Sequence, residues 1–137
     1  MEGRINDKIR EIEDYIEELY SIVPSSFEEY EKDFKTRASC ERYIEKLVEA
    51  AVDLGFLVIK LKKFDVPEND MQIFEILLHN KIISENLAKD LKKAKGMRNV
   101  ISHEYGHVDD AIIFDSLAER LEKDIKDFIK SIKEILR

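Results

Sequence analysis

The chain has 137 residues, with 30 acidic and 23 basic side chains, a net charge of −7 and an apolar share of 44%. That length fits one domain spanning residues 1–137, and the apolar share is too high for a disordered chain. The negative charge speaks against a coat for nucleic acid, the lone cysteine, Cys40, against a disulfide-stapled fold, and a longest apolar run of only Leu54 to Ile59 against a membrane span.

Met1-Glu2-Gly3-Arg4 leads straight into charged sequence with no signal-type apolar region, so a cytoplasmic protein is expected. Residues 4–23 place Ile5, Ile9, Ile12, Ile16, Leu19 and Val23 at steps of three and four, which predicts an amphipathic helix with an acidic outer face. Residues 1–34 carry eleven acids and four bases, so this segment alone holds the whole net charge. Pro24-Ser25-Ser26 breaks the pattern, and Ser25 with Glu28, or Ser26 with Glu29, reads as a capping box for a short helix to about Phe34. From about Ser39 to Lys63 the sequence is helical again but apolar nearly all round (Ile44, Leu47, Val48, Ala51, Val52, Leu54, Phe56, Leu57, Val58, Ile59, Leu61). Such a helix is buried at the centre of a bundle or against another chain.

Asp65 to Asp70, with Pro67, is a loop, and a short helix follows around Met71–His79. Ser84 is positioned to cap the helix that runs into residues 98–110, and Asp109 or Asp110 to cap a last helix carrying Phe114, Leu117, Leu121, Ile125, Phe128, Ile132 and Ile135. The expected architecture is all-α: an up-and-down bundle of four main helices plus short ones.

The chemistry concentrates in Arg98 to Asp110, reading R-N-V-I-S-H-E-Y-G-H-V-D-D. Two overlapping patterns occur there. His103-Glu104-Tyr105-Gly106-His107 fits the H-E-x-x-H of zinc hydrolases. That chemistry needs both histidines on one face of a continuing helix. Gly106, followed by Val108-Asp109-Asp110, instead predicts a helix that stops at about Tyr105, which favours a reading with no metal. The other pattern is Arg98, four residues, His103, one residue, Tyr105. A histidine near a helix C-terminus has its cationic form favoured by the carbonyl dipoles, which suits a general acid. Arg98 offers a planar, permanently charged fork for a phosphate. Five helical residues turn through about 500°, leaving Arg98 and His103 about 140° apart. Cleaving RNA without metal needs a base and an acid, and a two-fold dimer would supply two such histidines across a shared groove. Upstream, Lys89 to Arg98 holds five bases and one acid. A lysine run is usually a solvated helix face, but its place before the motif suits Lys92, Lys93 and Lys95 to guide phosphates.

Residues L-K-K-A-K-G-M-R-N-V-I-S-H-E-Y-G-H-V-D-D, with the buried segment C-E-R-Y-I-E-K-L-V-E-A-A-V-D-L, resemble the HEPN superfamily and, more narrowly, the HepT-like toxins of prokaryotic toxin–antitoxin pairs. The resemblance implies a metal-independent ribonuclease acting as a homodimer, with Arg98 and His103 catalytic and Asn99 as supporting polar neighbour. It implies no cofactor. It also implies an MntA-like nucleotidyltransferase partner, in a type VII-like system, that silences the toxin by adding AMP to Tyr105, and an RNA substrate for which transfer RNA is a known kind of target. Ile101-Ser102 stands where a more hydrophobic pair is common, a departure that bears on packing. Two other readings stay open beside this one: a non-catalytic helical module that dimerises and binds a nucleotidyltransferase, and a zinc hydrolase using His103 and His107. His79 reads as a helix-end surface residue, Cys40 as inert, and Tyr15, Tyr20, Tyr30 and Tyr43 as packing or interface residues.

Overall fold

The structure, a computed structural model, describes residues 1–103 and 108–137. Seven helices occupy them: α1 (Glu2–Ile22), α2 (Phe27–Lys32), α3 (Phe34–Lys62), α4 (Asp70–His79), α5 (Glu85–His103), α6 (Asp110–Glu119) and α7 (Leu121–Ile135). The fold is all-α, as expected, with α1, α3, α5 and α7 the four main helices and α2, α4 and α6 the short ones. No described helix is long and apolar enough to cross a membrane.

Local chemistry sets the helix starts. Ser26 accepts from the Glu29 N–H at 3.2 Å, Asn69 from Gln72 at 3.0 Å, Ser84 from Leu87 at 3.1 Å and Asp109 from Ala111 at 3.1 Å. Each satisfies a backbone donor that the first helical turn leaves unpaired. Helix α3 begins five residues earlier than Ser39 because Asp33 caps it through the Lys35 N–H and the Thr36 hydroxyl. It ends at Lys63, whose left-handed backbone (φ 58°) returns its N–H to the carbonyls of Ile59 and Lys60.

Helix α3 is the axis of the bundle. It packs on α1, α2, α4 and α5, while α5 and α6 both pack on α7. Ile44, Leu47, Val48, Ala51, Val52, Leu54, Leu57, Val58 and Ile59 are all buried within the single chain, whereas Phe56, expected in the same buried run, points to solvent. The apolar girdle is therefore consumed by the chain's own core, at about 1.5–3 kcal/mol per large side chain, and gives no separate reason for a dimer. At Gly55 the backbone of α3 comes so close to α4 that an added Cβ would lie 2.6 Å from Ile73 Cγ2. Phe74 and Phe128 meet edge-to-face beside it, with centroids 6.0 Å apart.

One expectation is corrected. The last apolar run does not form one helix: it breaks at Arg120 (φ −137°, ψ −40°) into α6 and α7. The 3–4 periodicity passes through Leu117, Leu121 and Ile125 without a mark. The freed carbonyl is met from another helix. Tyr20 of α1 donates its hydroxyl to the Leu117 carbonyl at 2.8 Å, the acceptor that the Leu121 N–H would use in an unbroken helix.

Tyr15, Tyr30 and Tyr43 pack as expected. Tyr30 is fully buried beside Phe114, centroids 5.4 Å apart, and Tyr15 meets Tyr43 edge-on with the Lys46 ammonium over both rings. His79 ends α4 and is exposed. Cys40 is fully buried, and burial pushes its thiol up to about 11, away from the thiolate that reactivity requires.

Candidate active site on the α3–α5 seam

The second half of α5 turns a polar strip toward α3 and α4. On α5 the residues Arg98 and Ser102 are four apart; on α3 so are Glu45 and Glu49. The Ser102 hydroxyl donates to Glu45 Oε2 at 2.6 Å, and Arg98 Nη2 lies 3.5 Å from Glu49 Oε1. Ascending numbers on one helix meet descending numbers on the other, so α3 and α5 run antiparallel and pair at one-turn intervals. Lys95, one turn earlier, reaches α4 instead, with Nζ 3.2 Å from Asp70 Oδ2.

Asn99 links these pairs. Its Oδ1 accepts from Lys95 Nζ at 3.2 Å and from Arg98 Nη1 at 3.4 Å. Arg98 is thus held on two sides, by Asn99 on its own helix and by Glu49 on α3. Its side chain is 19% exposed, and its buried Nε has no hydrogen-bond partner among the described residues.

The structure brings Arg98, Asn99 and Lys95 together and sends His103 elsewhere. His103 is the last described residue of α5 and is exposed, while Arg98 is turned into the seam. That divergence is what a five-residue helical separation dictates. His103 shares a ridge with Asn99, four residues earlier, and lies three residues beyond Val100, which is 51% exposed. Beside Val100, Met97 and Ile101 of α5, Val108 just before α6 and Ile112 within it line an apolar cleft of about 280 Å³, with Ile112 60% exposed.

The three lysines nominated to guide RNA are in unlike places. Lys93 is exposed with no ion-pair partner among the described residues, and Lys92 pairs with Glu75 of α4. Lys95 is 8% exposed and engaged as above, which turns it inward rather than toward solvent. Tyr105, Glu104, Gly106 and His107 lie outside the described residues, and with them the end of the motif helix, the modification site and most of the zinc pattern. Among the described residues no three or more metal-ligating side chains gather.

Sequence reasoning missed the acidic side of the site. Glu41, Glu45, Glu49 and Asp53 recur every four residues along α3, a ridge legible by the same rule that found the apolar one. Glu41, at the far end, has its carboxyl raised by burial and then by Asp110, which itself pairs with Arg37 at 3.6 Å. Asp70 carried no such signal, since its partner is set by how α4 lies on α5.

A family profile described as Ribonuclease HepT-like matches residues 12–132. The mRNA nuclease HepT of Shewanella oneidensis is 27% identical over 105 residues, covering 77% of this chain and 78% of that protein. The tRNA nuclease HepT of Aphanizomenon flos-aquae is 24% identical over 119 residues, 87% of this chain and 81% of that one. Among solved structures, the tri-AMPylated HEPN toxin of Shewanella oneidensis, in complex with its MNT antitoxin, superposes with a TM-score of 0.88 at 25% identity, over 95% of this chain and 96% of that one.

Proposed function

This chain belongs to the Ribonuclease HepT-like family, and from that premise we propose that it is the toxin of a toxin–antitoxin pair, a metal-independent endoribonuclease whose site is shared between two copies. The observation that carries the reading is the R-x4-H pair on α5: a clamped Arg98 facing the seam and an exposed His103 five residues on. Relatives named as nucleases of mRNA and of tRNA support RNA as the substrate class.

RNA cleavage of this kind joins the 2′-oxygen to the adjacent phosphorus and breaks the bond to the 5′-oxygen. One histidine takes the 2′-hydroxyl proton, and a second gives a proton to the departing oxygen. Arg98 offsets the charge gathering on the phosphate. Because one chain turns Arg98 and His103 apart, two copies related by a two-fold axis would place His103 of each near the other's groove. Val100, one turn before His103, and Ile112, which lines the same cleft as Val100, are exposed and form a suitable apolar contact for a second copy, a role the buried α3 girdle cannot take.

Silencing follows the same chemistry. A nucleotidyltransferase partner of the MntA type would join the Tyr105 oxygen to the α-phosphorus of ATP, releasing pyrophosphate. The added nucleotide brings negative charge and bulk beside His103, which excludes an RNA phosphate. The AMP-bearing toxin from Shewanella oneidensis, bound to its antitoxin, supports this assignment.

The test is cleavage of transfer RNA and of a messenger transcript in excess chelator. Cleavage is expected to persist and to be lost in His103→Ala, and Tyr105→Phe is expected to cleave yet resist AMP addition by mass spectrometry. Activity that disappears with bound zinc would return the site to the His103–His107 pattern. A monomer by light scattering at working concentration would remove the shared site.

A further inference from the structure

Lys95 is the buried charged residue of the described chain, 8% exposed in a segment whose other lysines face solvent or pair at the surface. Two explanations are ordinary for a lysine beside a ribonuclease motif, and neither fits. A lysine that guides RNA must reach phosphate in solvent, whereas this ammonium is occupied by Asp70 Oδ2 and Asn99 Oδ1, each at 3.2 Å. A lysine kept for stability is a poor device, because a buried ion pair often contributes no more than an apolar side chain of the same size.

What the ammonium does accomplish is orientation. An Asn side chain can present either its oxygen or its NH₂ to a neighbour, and a cation settles the choice. With Lys95 behind it, Asn99 turns its oxygen toward the guanidinium of Arg98, which donates through Nη1 at 3.4 Å. Glu49 fixes the other terminal nitrogen from α3. The plane of the guanidinium is then set before substrate arrives, and that plane decides whether its fork meets a phosphate squarely. Asp70, on α4, locks the lysine from a third helix.

Building on the ribonuclease reading above, we propose that Lys95, anchored by Asp70, is a positioning residue that orients Arg98 through Asn99. It does not contact RNA. Its contribution belongs to kcat, because it sets the geometry of a group acting on the reacting phosphate, and not to the capture of RNA.

The experiment compares the wild type with Lys95→Met and Asp70→Asn in the full chain, on an RNA transcript the wild type cleaves. Initial rates are taken at several salt concentrations, and thermal unfolding is followed in parallel. Lys95→Met keeps the aliphatic stem, and the Asp70 it leaves behind is 55% exposed and can be hydrated. Unfolding is therefore expected to stay near that of the wild type. The rate constant kcat should fall about 10²-fold, the size of effect a small misplacement of a reacting group produces. KM and its salt dependence should not move, and Asp70→Asn should show a smaller fall of the same kind. A higher KM with a shallower salt dependence would make Lys95 an RNA contact after all. An unchanged kcat, or a loss explained by the unfolded fraction, would also overturn the proposal. Should Lys95→Met not fold, Asp70→Asn carries the same readout from a half-exposed position. A wild type that cleaves no RNA would remove the ribonuclease reading itself, which is distinct from a cleaving wild type with an equally active Lys95→Met.

Discussion

Along its side toward α4 and α7, α3 is apolar and tightly closed: Gly55 lets Ile73 approach, and Phe74 stacks edge-on against Phe128. Along its side toward the end of α5 it is polar, pairing Glu45 with Ser102 and Glu49 with Arg98. One helix therefore carries two kinds of seam. The apolar one removes surface from water with no partner to satisfy, so it gains stability with every methylene. The polar one must recover the cost of desolvating each group through a hydrogen bond, so its net contribution to stability is small. It is also where an arginine, an amide and a buried lysine are held in fixed orientation. The first seam holds the bundle together, and the second arranges charge.

The comparison breaks if the two seams respond alike to truncation. Phe128→Ala is expected to cost about 3–5 kcal/mol, the range for emptying a fully buried aromatic site, read as a lower denaturation midpoint. Arg98→Met should leave that midpoint near the wild type while removing about 10²–10³-fold of RNA cleavage, as loss of one charge-stabilising donor does. If Arg98→Met instead unfolds the chain as Phe128→Ala does, the polar seam is a structural one.

A smaller effect sharpens the apolar side. Gly55→Ala places a methyl 2.6 Å from Ile73 Cγ2 and 3.4 Å from Leu77 Cδ1. Although alanine favours helix, overpacking at this contact should destabilise by about 1–3 kcal/mol. A thermal midpoint equal to or above the wild type would show that α4 yields easily, and that the apolar seam is looser than described.

The smallest expected effect lies at the far end of the polar ridge. Burial and Asp110 raise the Glu41 carboxyl above its usual range. The unfolded chain releases that proton at lower pH than the folded one, so the folded state loses stability as pH rises from the unfolded value through the folded one. Glu41→Gln should therefore stabilise at neutral pH, with the gain fading as pH falls below the ordinary glutamate range. Thermal unfolding at pH 7 and pH 4 checks it, and an equal shift at both would remove the electrostatic explanation.

Whatever depends on neighbours in the chain is legible in the residues alone. Apolar steps of three and four mark α1, a run apolar nearly all round marks the buried α3, and the hydroxyl or carboxylate of Ser26, Ser84 and Asp109 marks where helices start, because an amide donor two or three residues on is within reach of such a side chain. The R-x4-H spacing likewise fixed that Arg98 and His103 leave α5 in different directions. Which surface meets which was settled by the packing of whole helices. It spent the α3 girdle inside one chain, turned Lys95 inward to Asp70, and set Glu49 against Arg98. It also broke the last helix at Arg120, where a tyrosine hydroxyl 97 residues earlier in the chain donates to the Leu117 carbonyl. Helical period records that a face is apolar or charged, but a contact between residues far apart in sequence depends on how whole helices pack, which no local spacing contains.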